Sequence, residues 1–600
     1  MPLKRIPSYY LYAVFLLLVS TLTAKQVLFH RACFGSPCDS ILLLWLNSLA
    51  APLITASFVF LFRRQWWIVV PLILMDLWVV ANLLYFRANN LFLTLDVIRM
   101  AGNMRGFESS VGAYADIHTW IIPATTVVCL ALVAVLRFLV FRNQTISSRS
   151  VPFAVALLAG ICCSLLAGQV RFKVFHKEDT QPFSAEWLNP FVLQNEMLPE
   201  LWQKERQPRI YLTYHSISAY AVNMIYEGRL IDRERKRDVV FSDVELARLA
   251  PAFREKTDEI ITPSCNLVIV LVESFESWLM EMRDADGNEV TPCINDLRRR
   301  YPNLFFPRVK SQVGYAMSGD GLMILNTGLL PIQNGAACMM YSNNTWPGFA
   351  HLYSQNAVVN PIINSWNKTT NMLGYGYNEL LQPVDSNKFN PVSSNNLWRD
   401  KEVFEQLEDY VVSTDSSLPY CAIALTISTH TPWDWYDFSY KLPLKEEWQG
   451  RVPDYIGAMH YADHCFGEFL KHMEQRGLLD NTMLVITGDH NIFREESMIE
   501  PLIAPAKQAG LSIADGQTYV PLILVGKGIN ETRETDDIVY QMDIYPTIMS
   551  LIGAGNYFWQ GFGIDLSRTP LPERQVTVPQ SYYLSDKLIR ADYFGKRERE

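Results

Sequence analysis

The sequence predicts an α-helical transmembrane bundle followed by an α/β domain built on a mostly parallel central sheet. Three observations carry this expectation. Apolar residues crowd before about residue 170, in stretches long enough to cross a hydrocarbon layer as helices. Short continuous apolar runs recur after residue 264, as buried parallel strands do. Several of those runs end in an acid or an imidazole, at the edge where open α/β sheets hold ligands.

The chain has 600 residues, 49% hydrophobic and 12% aromatic, a composition that suits two different solvents and more than one domain. The candidate spans are Tyr10–Ala24, Ile41–Phe62, Trp66–Phe86, Thr119–Phe141 and Val151–Gln169, about five crossings, the first of them short. Lys4, Arg5, Arg63, Arg64, Arg142 and Arg149 fall on one side, which the retention of positive charge assigns to the cytoplasm. The opposite loops carry Lys25, Arg31, Arg87, Arg99 and Arg105, diluted by Asp39, Asp96, Glu108 and Asp116, so the bias is modest. "LYAVFLLLVSTLTA" also reads as a cleavable signal peptide, with a basic start, an apolar centre and small residues at its end. Either reading leaves everything after residue 170 outside, in a multi-pass protein of the cell membrane. Asp76, within a span, is costly in lipid and marks either function or a buried polar contact with Asn82.

Four segments follow: a transmembrane domain at 1–170, a connector at 171–262, a catalytic domain at 263–567 and a tail at 568–600. The connector mixes charge with "YLTYHSISAYAVNMIYEGRL", an amphipathic helix along the membrane surface or an ordinary solvated linker. In the catalytic domain "NLVIVLVE", "YCAIALTIST", "TMLVITGD" and "VPLILVG" read as strands, with helical segments such as "DYIGAMHYADHCFGEFLKHMEQRGLL" between them. The formal net charge of −9 leaves no basic footprint for nucleic acid. Cys33 and Cys38 flank "FGSP" at a spacing compatible with a small disulfide, whereas Cys265, Cys293, Cys338, Cys421 and Cys465 are an odd set without zinc spacing.

The strand ends deliver a constellation. Glu273 closes the first run, His430 follows "ALTIST", and Asp489 with His490 closes "MLVITGDH". Between them, Ser318 stands in a Gly-flanked turn before a helix reaching toward Leu330. A helix N-terminus offers free N–H groups and partial positive charge to an alkoxide or a phosphate. A plain N-cap is the bland alternative for Ser318.

These residues resemble the lipoteichoic acid synthase and phosphoglycerol transferase branch of the alkaline phosphatase and sulfatase superfamily. The family's E-S-F is "LVESF", its T-S-D-G…S-L-L-P is similar to "SGDGLMILNTGLLP", and its W-N-R is similar to "SWNK". Its S-x-H-x-P is "STHTP", G-D-H is "GDH", and D-I-Y-P-T is Asp543 to Thr547, so the ordered likeness runs over about residues 264–566. The resemblance implies a membrane bundle carrying an extracytoplasmic alkaline-phosphatase/sulfatase-like domain. It implies one divalent metal on Glu273, Ser318, Asp489 and His490, manganese first, with magnesium or zinc as alternatives. Ser318 would attack the phosphorus of a phospholipid headgroup, releasing diacylglycerol and leaving a phosphoryl-Ser. A glycan or glycolipid hydroxyl would complete the transfer. His430 would stabilise charge or move protons at the leaving oxygen, while Trp366 and Lys368 would hold the headgroup.

Three departures stand out. Serine replaces the family's threonine, Lys368 exchanges an arginine fork for a point charge, and Val358 to Asn364 contains no His or Asp. Phosphoethanolamine transfer and phosphodiester hydrolysis are the alternatives. Those ethanolamine relatives usually carry a threonine nucleophile and a disulfide-rich outer domain, and the C/S-x-P-x-R context of a sulfatase is missing around Ser318. His460 and His464, one helical turn apart, have zinc spacing without a third ligand and fit a solvated helix face better. Asp463 reads as structural, and Trp433 and Trp435 read as a substrate mouth or as aromatic packing.

Overall fold

The computed structural model describes residues 4–5, 8–35, 41–62, 65–89, 92–99, 114–140, 144–145, 149–175, 212, 216–256, 259–332, 335–361, 366–382, 399–493 and 496–597. The chain divides into two compact units, one ending at Lys236 and one beginning at Arg237.

The first unit is helical: α1 (Ser8–Phe34), α2 (Ile41–Ser57), α3 (Val69–Asn89), α4 (Ile117–Val135), α5 (Ser150–Phe175) and α6 (Ile217–Arg235). Among the described residues, three helices are long and apolar enough to cross a membrane: Tyr9–Phe34, Trp66–Arg87 and Ile117–Phe138. Over the other two expected spans the apolar stretches among the described residues are shorter, Trp45–Phe60 and Ser150–Leu166. At 1.5 Å per residue the 17 residues of α2 reach only about 25 Å, against a hydrocarbon core of about 30 Å.

The first span also differs from its sequence reading. Helix α1 continues past Ala24 to Phe34 and carries Lys25 into the interior, where it is fully buried rather than lying in an external flank. Its ammonium pairs with Asp76 of α3 and donates to the Ile122 carbonyl (2.7 Å), and Thr126 of α4 donates to the second Asp76 oxygen (2.5 Å). The partner of Asp76 is therefore Lys25, not Asn82, which instead bonds Trp78 and Leu93. A buried carboxylate needs a formal opposite charge more than an amide, and α1 brings one to it. Cys33 is buried at the end of α1, and Cys38 lies outside the described residues.

Helix α6, expected within the connector, packs inside this unit. Ile217 accepts from the Trp78 indole (2.9 Å), and Arg235 makes a two-pronged pair with Asp96 (3.0 and 2.8 Å).

The second unit is an α/β domain. Its strands are β1 (Asn266–Val272), β2 (Asn303–Lys310), β3 (Gln355–Val359), β4 (Glu379–Leu381), β5 (Tyr420–Leu425), β6 (Thr482–Gly488), β7 (Val520–Gly526), β8 (Arg533–Glu534) and β9 (Val539–Tyr540). They form one sheet in the order β8-β2-β7-β6-β1-β5-β3-β4, with β9 also paired to β2. Every pairing is parallel except those of β7, which runs against both β2 and β6.

The central strands are apolar on both faces because helices cover both. Leu267, Ile269 and Leu271 of β1 enter one core with Ile324, Tyr545 and Trp559, while Val268, Val270 and Val272 enter the other with Phe404, Tyr455 and Phe466. Fully burying each such side chain stabilises by roughly 1.5–3 kcal/mol. The flanking helices used below are α7 (Pro292–Arg300), α8 (Ser318–Thr327), α9 (Lys368–Tyr375), α10 (Asp400–Ser413) and α11 (Val452–Gln475). The five cysteines of this unit are free thiols.

Candidate active site

Three adjacent parallel strands, β6, β1 and β5, end at the same edge of the sheet. Glu273 follows β1 directly, Asp489 and His490 follow β6 directly, and His430 lies in the loop after β5. Register fixes these neighbours: Val272 faces Gly488 and Leu271 faces Leu425. The carboxylates and the imidazole are thereby placed by strands buried throughout, save for Asn266 at the start of β1.

Ser318 arrives from the side, as the first residue of α8. The preceding loop is held by Asp320, which accepts from Gly314 N (2.8 Å) and Ala316 N (3.1 Å). Helix α8 lies so close to the end of β6 that a Cβ at Gly321 would stand 2.3 Å from the Asp489 carbonyl oxygen. Only glycine permits that approach. The same carbonyl accepts from Gln541 Nε2 (2.7 Å), which pins the turn from the other side.

The Ser318 hydroxyl donates to Glu273 Oε2 (3.0 Å) and lies 3.3 Å from His490 Nε2. His490 Nε2 is 3.4 Å from Glu273 Oε1 and 3.6 Å from Asp489 Oδ2. Asp489 Oδ1 accepts from Ser274 N (2.8 Å) and His490 N (2.7 Å), and Ser274 Oγ donates to Glu273 Oε1 (2.8 Å). Burial pushes the Asp489 carboxyl up, and the Glu273 charge beside it adds to the effect.

One ligand atom each from Glu273, Asp489 and His490 lies within 4.8 Å of the others, and all three residues are buried. Two carboxylates crowded together out of water repel, and a cation between them removes that penalty. Mostly oxygen donors with one imidazole suit a divalent cation of hard to borderline character, so the residues present fit such an ion.

Lys368 opens α9; burial lowers its pKa, and the charges of Glu273 and Asp489 oppose that lowering. His430 is likewise lowered by burial and raised by the Glu273 charge. Its Nδ1 lies 2.6 Å from the Thr431 carbonyl, which only accepts, so Nδ1 carries the proton. Trp366 sits two residues before Lys368, in a turn tied to α9 by Asn371. Of the stretch without His or Asp, residues 362–364 lie outside the described residues.

Backbone strain marks the same place without reference to side-chain chemistry. Six described non-glycine residues have positive φ, and five of them adjoin the residues above: Ser274, Met317, Trp366, Asn367 and Trp433. Such conformations cost of order 1–3 kcal/mol each and persist where the surroundings impose them. Sequence reasoning missed Ser274, Gln541 and Tyr455, whose hydroxyl donates to Ser274 O (2.5 Å). Ser274 stands inside the quoted E-S-F; the other two give no local signal.

Other residues singled out from sequence lie elsewhere. Asp463 accepts from Cys293 N (2.8 Å) and Ile294 N (2.9 Å) and so caps α7. His460 bonds the Val290 carbonyl (2.8 Å), and His464 packs on Tyr440 with ring centroids 4.7 Å apart.

A mostly parallel sheet carrying an oxygen-rich, metal-ready cluster beside a helix-initiating hydroxyl defines a sulfatase-type domain, and residues 265–554 match the sulfatase family. Residues 3–191 match the lipoteichoic acid synthase N-terminal domain. Lipoteichoic acid synthase from Staphylococcus aureus (strain NCTC 8325 / PS 47) is 22% identical over 583 residues, 93% of this chain and 84% of that protein. In fold, the chain is similar to the integral membrane protein lipooligosaccharide phosphoethanolamine transferase A (EptA) from Neisseria meningitidis. The TM-score is 0.53 at 12% identity, covering 92% of this chain and 96% of that one. The lipoteichoic acid synthase LtaP from Listeria monocytogenes aligns with 60% of this chain and 100% of its own at 17% identity, TM-score 0.47. Residues 265–554 thus form a sulfatase-family domain behind a lipoteichoic acid synthase N-terminal domain, and the chain is a phosphotransferase of the lipoteichoic acid synthase-like kind.

Proposed function

We propose that the chain transfers a phosphoglycerol headgroup from a membrane phospholipid to a glycan or glycolipid hydroxyl outside the cell, through a phosphoryl-Ser318 intermediate. The observation that carries this reading is the Ser318 hydroxyl at the head of α8, within hydrogen-bond reach of Glu273 and beside His490. An odd number of crossings from a cytoplasmic N-terminus, as the sequence suggests, would put the second unit outside the cell, on the side of an outer-leaflet lipid donor.

Glu273, Asp489 and His490, with the Ser318 oxygen, would hold one divalent cation, manganese first. Such an ion favours the alkoxide of the hydroxyl it binds and draws charge from a phosphoryl oxygen. The chain's own groups do the rest. Glu273 Oε2 accepts the Ser318 proton as Oγ forms a bond to phosphorus and the phosphorus–oxygen bond to diacylglycerol breaks. Lys368 balances phosphoryl charge, with Trp366 beside it against the headgroup. His430, entering as the imidazolium, hands its Nε2 proton to the diacylglycerol oxygen and then takes one from the acceptor hydroxyl, whose oxygen displaces Ser318 as Glu273 returns its proton to Oγ.

The test is incubation of the full-length protein with manganese and headgroup-labelled phosphatidylglycerol or phosphatidylethanolamine, followed by mass spectrometry of the Ser318 peptide. A glycerophosphoryl adduct on Ser318 is expected. An ethanolamine-phosphoryl adduct would change the donor, and no adduct from either lipid would contradict the reading.

A further inference from the structure

The loop that carries His430 folds back on itself so that a residue five positions later lies flat against the imidazole. The rings of His430 and Trp435 are parallel to within 4°, with centroids 5.0 Å apart. Trp435 is only 2% exposed, so the indole is a fixed surface rather than a mobile flap. Between the two, the chain turns through Trp433 at φ 62°, a left-handed conformation that a bulky residue adopts only when its surroundings enforce it.

We propose that Trp435 is the positioning residue of His430, and that its indole face fixes the imidazole plane in which Nε2 exchanges protons with the substrate oxygens. This rests on the role given to His430 above. Two constraints together leave the ring no freedom. The Nδ1–H bond to Thr431 O fixes the tautomer and one edge, and the stacked indole prevents rotation about the Cβ–Cγ bond. The indole face also attracts the imidazolium that forms when Nε2 takes a proton, so it acts in both protonation states.

The loop backbone is held by other groups. Asp400 Oδ1 accepts from Ile427 N (2.6 Å) and Ser428 N (3.1 Å), His430 N donates to Ile427 O (2.9 Å), and Thr429 Oγ1 donates to Glu273 O. Trimming Trp435 therefore frees the ring without releasing the strand end.

The experiment measures steady-state headgroup transfer by the full-length protein carrying Trp435→Leu, Trp435→Phe, His430→Ala, or His430→Ala with Trp435→Leu. Trp435→Leu should lower kcat about tenfold or more with KM nearly unchanged, and Trp435→Phe, which keeps a flat face, should restore most of it. In the His430→Ala background, Trp435→Leu should cost nothing further, because the group it orients is gone. Equal losses for Leu and Phe, or a further loss in the His430→Ala background, would overturn the proposal. A normal rate in Trp435→Leu beside an impaired His430→Ala would overturn it while leaving the role of His430 intact. A normal rate in His430→Ala would remove that role itself, and this proposal with it.

Discussion

Ser318 Oγ lies 3.0 Å from Glu273 Oε2, although the two residues are 45 positions apart and come from a helix start and a strand end. The contact joins the edge of the sheet to the positive end of α8. A hydroxyl there has a proton acceptor beside it and stands at the partial positive charge of the helix start, which favours a bound anion. Ser318→Ala should leave the fold intact and abolish transfer, a loss of at least about 10³-fold in kcat read from headgroup release.

Gly321→Ala should damage the site without touching a reacting group. Its Cβ would stand 2.3 Å from the Asp489 carbonyl oxygen, so either α8 or the Gly488–Asp489 turn must shift. A stability loss of about 1–3 kcal/mol is expected from chemical denaturation. Transfer should fall more steeply than that loss explains, because the shift separates Ser318 from Asp489.

The Asp543 to Thr547 motif predicts a stability phenotype rather than a catalytic one. Asp543 is fully buried and accepts a fork from Arg574 at 2.8 and 2.8 Å, along with Tyr540 N and Ile564 N at 2.9 Å each. Arg574→Met leaves that carboxylate uncompensated and should cost about 3–5 kcal/mol, with part regained in Arg574→Met/Asp543→Asn. Urea denaturation of the three proteins distinguishes these outcomes.

Glu245 gives a pH dependence of defined sign. Burial would raise its carboxyl, but Lys587 at 2.7 Å, Ser242 N at 2.7 Å and the Tyr583 hydroxyl at 2.6 Å hold it down at about 2, against an ordinary 4.5. A carboxyl lowered on folding stabilises fully above its unfolded value and loses that contribution as pH falls through its folded value. The Tm difference between the native protein and Glu245→Gln should be constant above about pH 5 and shrink between 4.5 and 2.

The central strands were legible because apolar runs such as "NLVIVLVE" and "TMLVITGD" state their own burial, and their terminal polar residues mark the ligand edge. The peripheral strands were not. "NLFFPRVK" of β2 carries Pro307 and charged residues, and the three residues of β4 or the pairs in β8 and β9 hold too little pattern to register. The Lys25–Asp76 pair was illegible for a different reason. A charge in a span announces a partner without naming it, and here the partner lies 51 positions away on another helix. Gln541 and Tyr455 act on the site through a backbone carbonyl, which any residue supplies, so no spacing rule points to them.

The most direct test of the convergence of Glu273, Ser318, Asp489 and His490 on one cation is metal stoichiometry. The full-length protein, stripped with chelator and titrated with manganese under calorimetry, should bind one equivalent at a site that Asp489→Asn and His490→Ala each abolish. Headgroup release should return in proportion to occupancy. Undiminished manganese binding in both variants, or full headgroup release by the stripped protein, would contradict the account.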